Sequence, residues 1–129
     1  MVVYLVKLVH KKSGKVQYKR GITKWFYPLK RFDDPKYDIF DISLLDKYDY
    51  SHDNWAVART HVNVFEQVLN GLWPPKSRDF NVEQHLGEEA GVLDDVGVTE
   101  FIYLKDDQTE DQLVKQFKDA KKFMWKVKI

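Results

Sequence analysis

The sequence predicts a small α+β domain, in which a central, mainly antiparallel β-sheet is flanked by helices. Two observations favour this class. Runs rich in β-branched residues alternate with amphipathic helical segments, and a polar turn with a glycine separates the first two runs. The predicted elements follow the order β-β-α-β-α-(β)-α, which is typical of sheets covered by helices. With 129 residues, the chain has the length of one domain.

The first elements form a hairpin followed by a short helix. Residues 2–9 are apolar on both faces, which indicates a buried strand, and residues 16–20 return as its partner after a turn of about five residues. Residues 24–33 carry large apolar side chains at helical spacing. Because Pro28 fits only a first turn, this helix is predicted to begin near residue 27 and to end at residues 33–35.

The second half contains two longer helices. A third strand is predicted over 39–45, and polar capping residues at 51–54 precede an apolar stripe that ends at Asn70-Gly71. A strand is predicted over 98–104 and a final helix over 109–127, capped by Thr109. The expected organisation is therefore one domain over 1–129, with a core of 1–104 and a C-terminal helix. Residues 76–97 predict no definite element.

Charge is strongly segregated along the chain, although the net charge is only +1. Residues 1–32 carry nine basic side chains and no acidic one, residues 33–111 sum to −13, and residues 112–129 sum to +5. Because nucleic-acid binding depends on the local field, the N-terminal block predicts a surface for phosphates. The three lysines at 11, 12 and 15 equally fit a solvated hairpin turn.

Composition excludes several other classes of protein. There is no cysteine, so disulfides and thiolate zinc sites are excluded. No apolar run approaches the about 20 residues that cross a bilayer, and the start lacks the pattern of a secretory signal. We therefore expect no membrane partner and a cytoplasmic location, which would be the host cytoplasm for a virus-encoded protein.

One ordered set of residues suggests a chemistry. Tyr4 lies in the first strand, Tyr18-Lys19-Arg20-Gly21-Ile22-Thr23 in the second, Arg31 in the short helix and Glu66 in the next helix. This order and spacing resembles the GIY-YIG nuclease superfamily, in particular its short phage and mobile-element branch, whose second motif reads Tyr-Lys-x-Gly-Ile-Thr. The resemblance covers roughly residues 1–104. It implies a GIY-YIG-like sheet, with the two tyrosines on adjacent strands, and a DNA endonuclease that uses Mg²⁺ or Mn²⁺.

The resemblance also implies a role for each residue. Glu66 would hold the divalent cation through its carboxylate, and Arg31, or Lys30 beside it, would bind the scissile phosphate. Tyr18 would help activate water, and Tyr4 would support it. We expect these side chains to converge in one pocket. Each also fits an ordinary structural role, as packed strand tyrosines, a surface arginine and an exposed helix glutamate.

The basic residues of the second motif are predicted to lie along the DNA backbone. These are Lys19, Arg20 and Lys24, together with Lys30, while Gly21 gives the backbone room for a tight turn or a close ligand. Two positions depart from the family pattern: the first motif reads Val-Val-Tyr, and Arg20 stands where an aliphatic residue is usual.

Three further ionisable residues lie outside the second motif. Glu100 matches a Gly-x-x-Glu-aromatic element of this branch, or is an ordinary edge-strand glutamate. Arg59 lies two helical turns before Glu66 and could assist it. His61 is interpreted as structural, because it does not share the helix face of Glu66.

Two functions are therefore predicted as alternatives. The first is a metal-dependent endonuclease with little base-specific readout, acting on duplex, branched or single-stranded DNA. A double-strand cut would need two active sites, supplied by a dimer or by successive nicks. The second is a catalytically silent scaffold that binds nucleic acid, or that uses its acidic middle to bind and inhibit a host protein.

Overall fold

The predicted α+β class is confirmed by a computed structural model, which describes residues 1–24, 27–33, 35–72, 101–102 and 108–124. Within these residues the sheet has three long strands and a short one, β1 (Val2–His10), β2 (Val16–Thr23), β3 (Phe40–Asp49) and β4 (Phe101–Ile102). Their order is β3-β1-β2-β4, and every neighbouring pair is antiparallel. The same residues form two α-helices, α1 (Trp55–Leu72) between β3 and β4, and α2 (Glu110–Met124) after β4.

The hairpin forms as predicted, with a five-residue turn that is held by His10. Its Nδ1 accepts backbone N–H groups of Lys12 at 3.2 Å and Ser13 at 3.0 Å, and Gly14 takes the positive φ of +72° that the turn requires. β2 continues through Gly21 to Thr23, three residues further than predicted. A glycine in a strand need not end it where the partner strand continues.

β3 extends to Asp49, beyond its predicted end at residue 45, and contains a β-bulge. The register with β1 shifts between Leu5 and Val6, so the alternation of apolar and polar residues in β3 changes phase in the middle of the strand. The predicted short helix is a 3₁₀ helix, Pro28–Phe32, and a second one, Pro35–Tyr37, follows it.

Both α-helices begin at side-chain caps, as predicted. The Oδ1 of Asn54 accepts the N–H of Ala56 at 2.9 Å, and Thr109 forms a reciprocal capping box with Gln112. α1 ends at Leu72, just beyond the predicted stop. None of the described helices combines the length and the apolar character needed to cross a membrane.

Each face of the sheet is covered by different elements. The face that packs against α1 and α2, here the helix face, carries Val3, Leu5, Tyr18 and Tyr48 in the main core. The edge-to-face contact of Phe65 with Phe117, at 5.2 Å, joins the two helices over it.

The other face, here the 3₁₀ face, lies against the two 3₁₀ helices. A chain of edge-to-face rings joins them to the sheet, with Tyr4 on Phe32 at 5.8 Å and Phe32 on Tyr37 at 4.9 Å. Because both faces are covered, β1 is apolar on both sides.

Candidate functional site

The two signature tyrosines lie on adjacent strands but point to opposite faces of the sheet. In the β1–β2 pairing, Tyr4 is opposite Gly21, whereas Tyr18 is opposite Lys7. Since side chains alternate along a strand, Tyr4 and Tyr18 cannot share a face. Tyr4 packs on the 3₁₀ face and Tyr18 on the helix face. The expectation that both phenols meet in one pocket is therefore wrong.

The phenol of Tyr4 lies directly over Gly21. A Cβ atom at residue 21 would stand 2.6 Å from the Oη of Tyr4 and 2.8 Å from its Cζ, closer than non-bonded atoms approach. Tyr4 is fully buried, so its ring has little freedom to move aside. The room at Gly21 is therefore filled by Tyr4, and neither a turn nor a ligand is needed to explain the glycine.

Tyr18 is linked to the last helix through Glu110. Its Oη donates to the Oε1 of Glu110 at 3.1 Å, and the Nζ of Lys7 lies 2.8 Å from the same oxygen. Burial, followed by the hydrogen bond and charge of Glu110, raises the pKa of Tyr18 to about 12. The hydrogen bond from Lys7 is the main cause that lowers the pKa of Glu110. At neutral pH, Tyr18 is therefore a hydrogen-bond donor and a poor general base.

The charge of Glu66 on α1 acts on Arg20 of the second motif. Arg20 is opposite Leu5, which places it on the helix face, and only 5% of it is exposed. Burial lowers the pKa of Arg20 to about 10, and the charge of Glu66 acts in the opposite direction. Arg20 therefore stays protonated at neutral pH. Glu66 is half-buried and is the sole acidic residue of α1.

Two residues that were expected to contact DNA at the surface are buried. Lys19 lies on the 3₁₀ face, 1% exposed, with its Nζ 5.6 Å from the ring centroid of Phe32. Arg20 lies on the other face. The expectation that Lys19 and Arg20 contact DNA at the surface is therefore wrong, because both faces of β2 are covered at these positions. Lys24 and Lys30 are exposed, as contacts to a DNA backbone require.

Other predicted residues fall partly outside the described region. The backbone of Arg31 lies in the first 3₁₀ helix, but its side chain is outside the described part of the chain, as are Glu100 and residues 76–97. Arg59 is exposed on α1. Each of the roles assigned to these residues stays a prediction.

The described residues contain no group of three His, Cys, Asp or Glu side chains that could hold a metal ion. The described residues therefore do not form a metal site in which protein side chains alone surround the ion. The single carboxylate of Glu66 fits the other common mode, in which Mg²⁺ is held by one or two carboxylates together with waters and phosphate oxygens.

Two members of the charged groups on the helix face, Lys7 and Glu110, were not predicted from the sequence. Lys7 could have been identified from the sequence, because it is the one charged residue within the apolar run 2–9. Glu110 follows the predicted cap Thr109 without any sign that it would reach β2, 92 residues away.

His61 is buried, as a structural residue should be. Its Nε2 lies 2.7 Å from the Oη of Tyr48, and its ring is stacked on Tyr50 with 3.7 Å between centroids. Only 3% of His61 is exposed, and burial lowers its pKa. These contacts attach the middle of α1 to the end of β3.

No protein-family model, curated protein or solved structure matches this chain.

Proposed function

We propose that this chain is a metal-dependent endonuclease that hydrolyses DNA phosphodiester bonds with little base-specific readout. The proposal rests on one observation: the charge of Glu66 on α1 acts on the buried guanidinium of Arg20 in the second motif. A carboxylate of α1 thus lies close enough to a basic residue of the second motif for its charge to act on it. Phosphodiester hydrolysis needs a carboxylate of this kind as a ligand for a divalent cation.

Arg31 would bind the scissile phosphate in this mechanism, as the resemblance implies. A guanidinium is protonated at neutral pH and can donate two parallel hydrogen bonds to non-bridging oxygens. Arg20 would act on Glu66 instead of on the DNA. Because Arg20 is almost fully buried, water screens its interaction with the carboxylate of Glu66 less than it would at the surface.

Glu66 would hold Mg²⁺ or Mn²⁺ through its carboxylate. When bound, such an ion lowers the pKa of a coordinated water and offsets the charge of the leaving oxygen. Tyr18 would not act as the base; it would link β2 to α2 through Glu110. Lys24 and Lys30, both exposed, would contact the DNA backbone.

A catalytically silent scaffold is the second candidate function. It is favoured by a specific observation, that Tyr4 and Tyr18 lie on opposite faces and that the proton of Tyr18 is donated to Glu110. In that case the pair Glu66 and Arg20 would only stabilise the fold. The basic block would bind nucleic acid, or the acidic middle of the chain would bind a host protein.

Plasmid cleavage separates the two functions. Wild type and Glu66→Gln are incubated with supercoiled plasmid and Mg²⁺ or Mn²⁺, with a chelator control, and DNA retention is measured in chelator. Asp111→Asn is the matched control, because it removes one carboxylate from an exposed position of α2.

The endonuclease predicts that wild type and Asp111→Asn cut the plasmid, whereas Glu66→Gln cuts about 100-fold more slowly and retains DNA equally well. Retention without cutting by any of the three supports the scaffold. Equal cutting by Glu66→Gln and wild type would remove Glu66 from the site.

A further inference from the structure

His10 is a buried, titratable side chain at the end of β1 that the proposed function does not use. Only 3% of the residue is exposed, and its ring packs edge-to-face on Phe40, with 5.8 Å between centroids. Its Nδ1 faces the turn that joins β1 to β2 and begins at the next residue. This turn carries three exposed lysines, Lys11, Lys12 and Lys15.

Three hydrogen-bonding groups converge on the Nδ1 of His10. The backbone N–H of Lys12 lies 3.2 Å from it, that of Ser13 3.0 Å, and the Oγ of Ser13 3.1 Å. A backbone N–H can only donate, so Nδ1 must accept and cannot itself carry a proton. The geometry therefore assigns the neutral form of the ring, with its proton on Nε2.

The rest of the turn is held by hydrogen bonds as well. The Oγ of Ser13 accepts the N–H of Lys15 at 3.2 Å, and the N–H of Gly14 donates to the carbonyl of His10 at 2.8 Å. Residues 11–15 are all exposed, so burial of apolar surface contributes little here. The shape of the turn therefore depends on these hydrogen bonds.

A proton on Nδ1 would reverse the role of this atom. Both ring nitrogens of an imidazolium donate, so the new N–H would face the N–H groups of Lys12 and Ser13 at hydrogen-bond distance. Donors that face each other repel, and the turn would have to move away from the ring. Protonation of Nδ1 is therefore incompatible with the observed turn.

The charged side chains around the ring act in both directions. The three lysines of the turn disfavour a further positive charge, whereas Asp38 and Asp41, before and after Phe40 in the chain, favour it. The second 3₁₀ helix adds the phenol of Tyr37. The lysines and both carboxylates are exposed and thus screened by water, so the donors on Nδ1 decide which form of the ring the turn accepts.

We propose that His10 is a pH-sensitive switch of the turn 11–15, which holds the turn while the ring is neutral and releases it when Nδ1 is protonated. Histidine is the side chain that ordinarily changes charge between pH 5 and pH 8, which sets the range for the test. The switch determines whether the three lysines are presented in one fixed arrangement. It operates whether or not the chain cleaves DNA.

NMR spectra of ¹⁵N-labelled protein from pH 8 to pH 5 test the switch. The ring signals of His10 should show an Nδ1 without a proton at pH 8. As the pH falls, the amide signals of Lys12 and Ser13 should shift in step with the ring, and their protection from hydrogen exchange should drop about fivefold, as expected for one ordinary hydrogen bond. The amide signals of α2 should remain those of the folded protein, which separates release of the turn from unfolding.

Two variants of His10 separate the acceptor from the titration. In His10→Asn, the Oδ1 of the amide can replace Nδ1 as the acceptor and does not titrate, so the turn should be held down to pH 5. In His10→Phe the acceptor is lost, so the amides of Lys12 and Ser13 should be released at every pH. His52→Asn is the matched control, because the Nδ1 of this exposed histidine accepts the N–H of Asn54 at 2.9 Å. That variant should keep the wild-type response of the turn.

A proton on the Nδ1 of wild-type His10 at pH 8 would overturn the inference, as would a turn that is held down to pH 5 or that does not follow the ring. A wild-type response in His10→Phe would also overturn it. If that variant does not fold, a turn that still responds to pH in His10→Asn has the same consequence. None of these measurements involves DNA, so the plasmid experiment on Glu66 decides the proposed function separately.

Discussion

Gly21 and Tyr4 show how one residue determines another across two strands. The phenol of Tyr4 fills the space where a Cβ of residue 21 would lie. The contact explains why a glycine follows two large basic residues in the middle of β2. A methyl group added at residue 21 would clash with the ring of Tyr4, and this clash can be tested by substitution.

Gly21→Ala should lower the free energy of unfolding by about 1–3 kcal/mol, the usual cost of overpacking a core. Gly71→Ala is the matched control, since nothing lies within 4 Å of its Cβ position. That helical substitution should raise stability by up to about 1 kcal/mol. Urea unfolding measures both changes.

The Tyr4→Phe background tests the cause. Removing the hydroxyl relieves the shortest contact, at 2.6 Å, but leaves the 2.8 Å contact to Cζ. Gly21→Ala should therefore cost less, though still something, in this background. An unchanged cost in this background would show that Tyr4 is not what excludes a side chain at residue 21.

The strands that carry the two signature tyrosines were predictable, but the face of the sheet to which each side chain points was not. The sequence placed Tyr4 and Tyr18 on adjacent strands, which the structure confirms. Their faces depend on register, and a shift of one residue exchanges the faces of a strand. The spacing of Tyr18 to Gly21, three positions, already implies opposite faces for a strand that continues through the glycine. The prediction ended that strand at Arg20, so this consequence was missed.

Among the elements, α1 and β3 are joined by the buried group of His61 and Tyr48. Burial lowers the pKa of His61, so the folded state favours the neutral ring. The unfolded chain therefore binds more protons than the folded one once the pH falls below about 6.5. Stability is present above that pH and is lost as the pH falls towards the lowered pKa of the folded state.

Unfolding free energies of wild type should therefore decrease from pH 7 to pH 5, and His61→Phe should lack this part of the decrease. The variant has a constant cost, because the Oη of Tyr48 loses its partner. The exposed residue His52 supplies the control, His52→Gln, which should keep the wild-type dependence. Parallel curves for wild type and His61→Phe would contradict the assignment.

Local signals predicted the elements well where the cause is local. The hairpin turn and both helix caps depend on residues within a few positions of each other, and all three form. β3 carries a bulge in its pairing with β1, and the 3₁₀ helix Pro28–Phe32 packs on Tyr4 through Phe32. These contacts join distant segments, so a local pattern does not contain them.

For the whole molecule, the segregated charge predicts how DNA binding responds to salt. Lys24 and Lys30 are exposed in the basic N-terminal block, whereas Lys19 is buried on the 3₁₀ face. Lys24→Ala and Lys30→Ala should each reduce the slope of log K against log salt by about 0.9. Lys118→Ala, in α2, is the control and should leave the slope unchanged.

Lys19→Ala should behave differently from these variants. Because its side chain packs against Phe32, the change should lower the unfolding free energy and leave the salt slope of the folded protein as it is. A reduced slope in Lys19→Ala with unchanged stability would show that this lysine reaches DNA after all.

The candidate site was predictable only in part, for a reason that applies to the whole molecule. The sequence correctly predicted that Glu66 lies on a helix at the border of the core, because the apolar pattern of that helix is local. Its carboxylate was expected to share a pocket with Arg31, whose side chain lies outside the described part of the chain, so that expectation stays a prediction. Which basic residues the charge of Glu66 acts on depends on how α1 lies across the sheet, and Arg20 is one of them.

The most direct test of this account is a double-mutant cycle in plasmid nicking rate, with wild type, Glu66→Gln, Arg20→Lys and both changes together. Residues that act as one catalytic unit give non-additive losses. If Glu66 and Arg20 form one centre, each single change should reduce the rate about as much as the double change does, while all four proteins unfold cooperatively. Independent losses that multiply in the double variant, or full activity in either single variant, would contradict it.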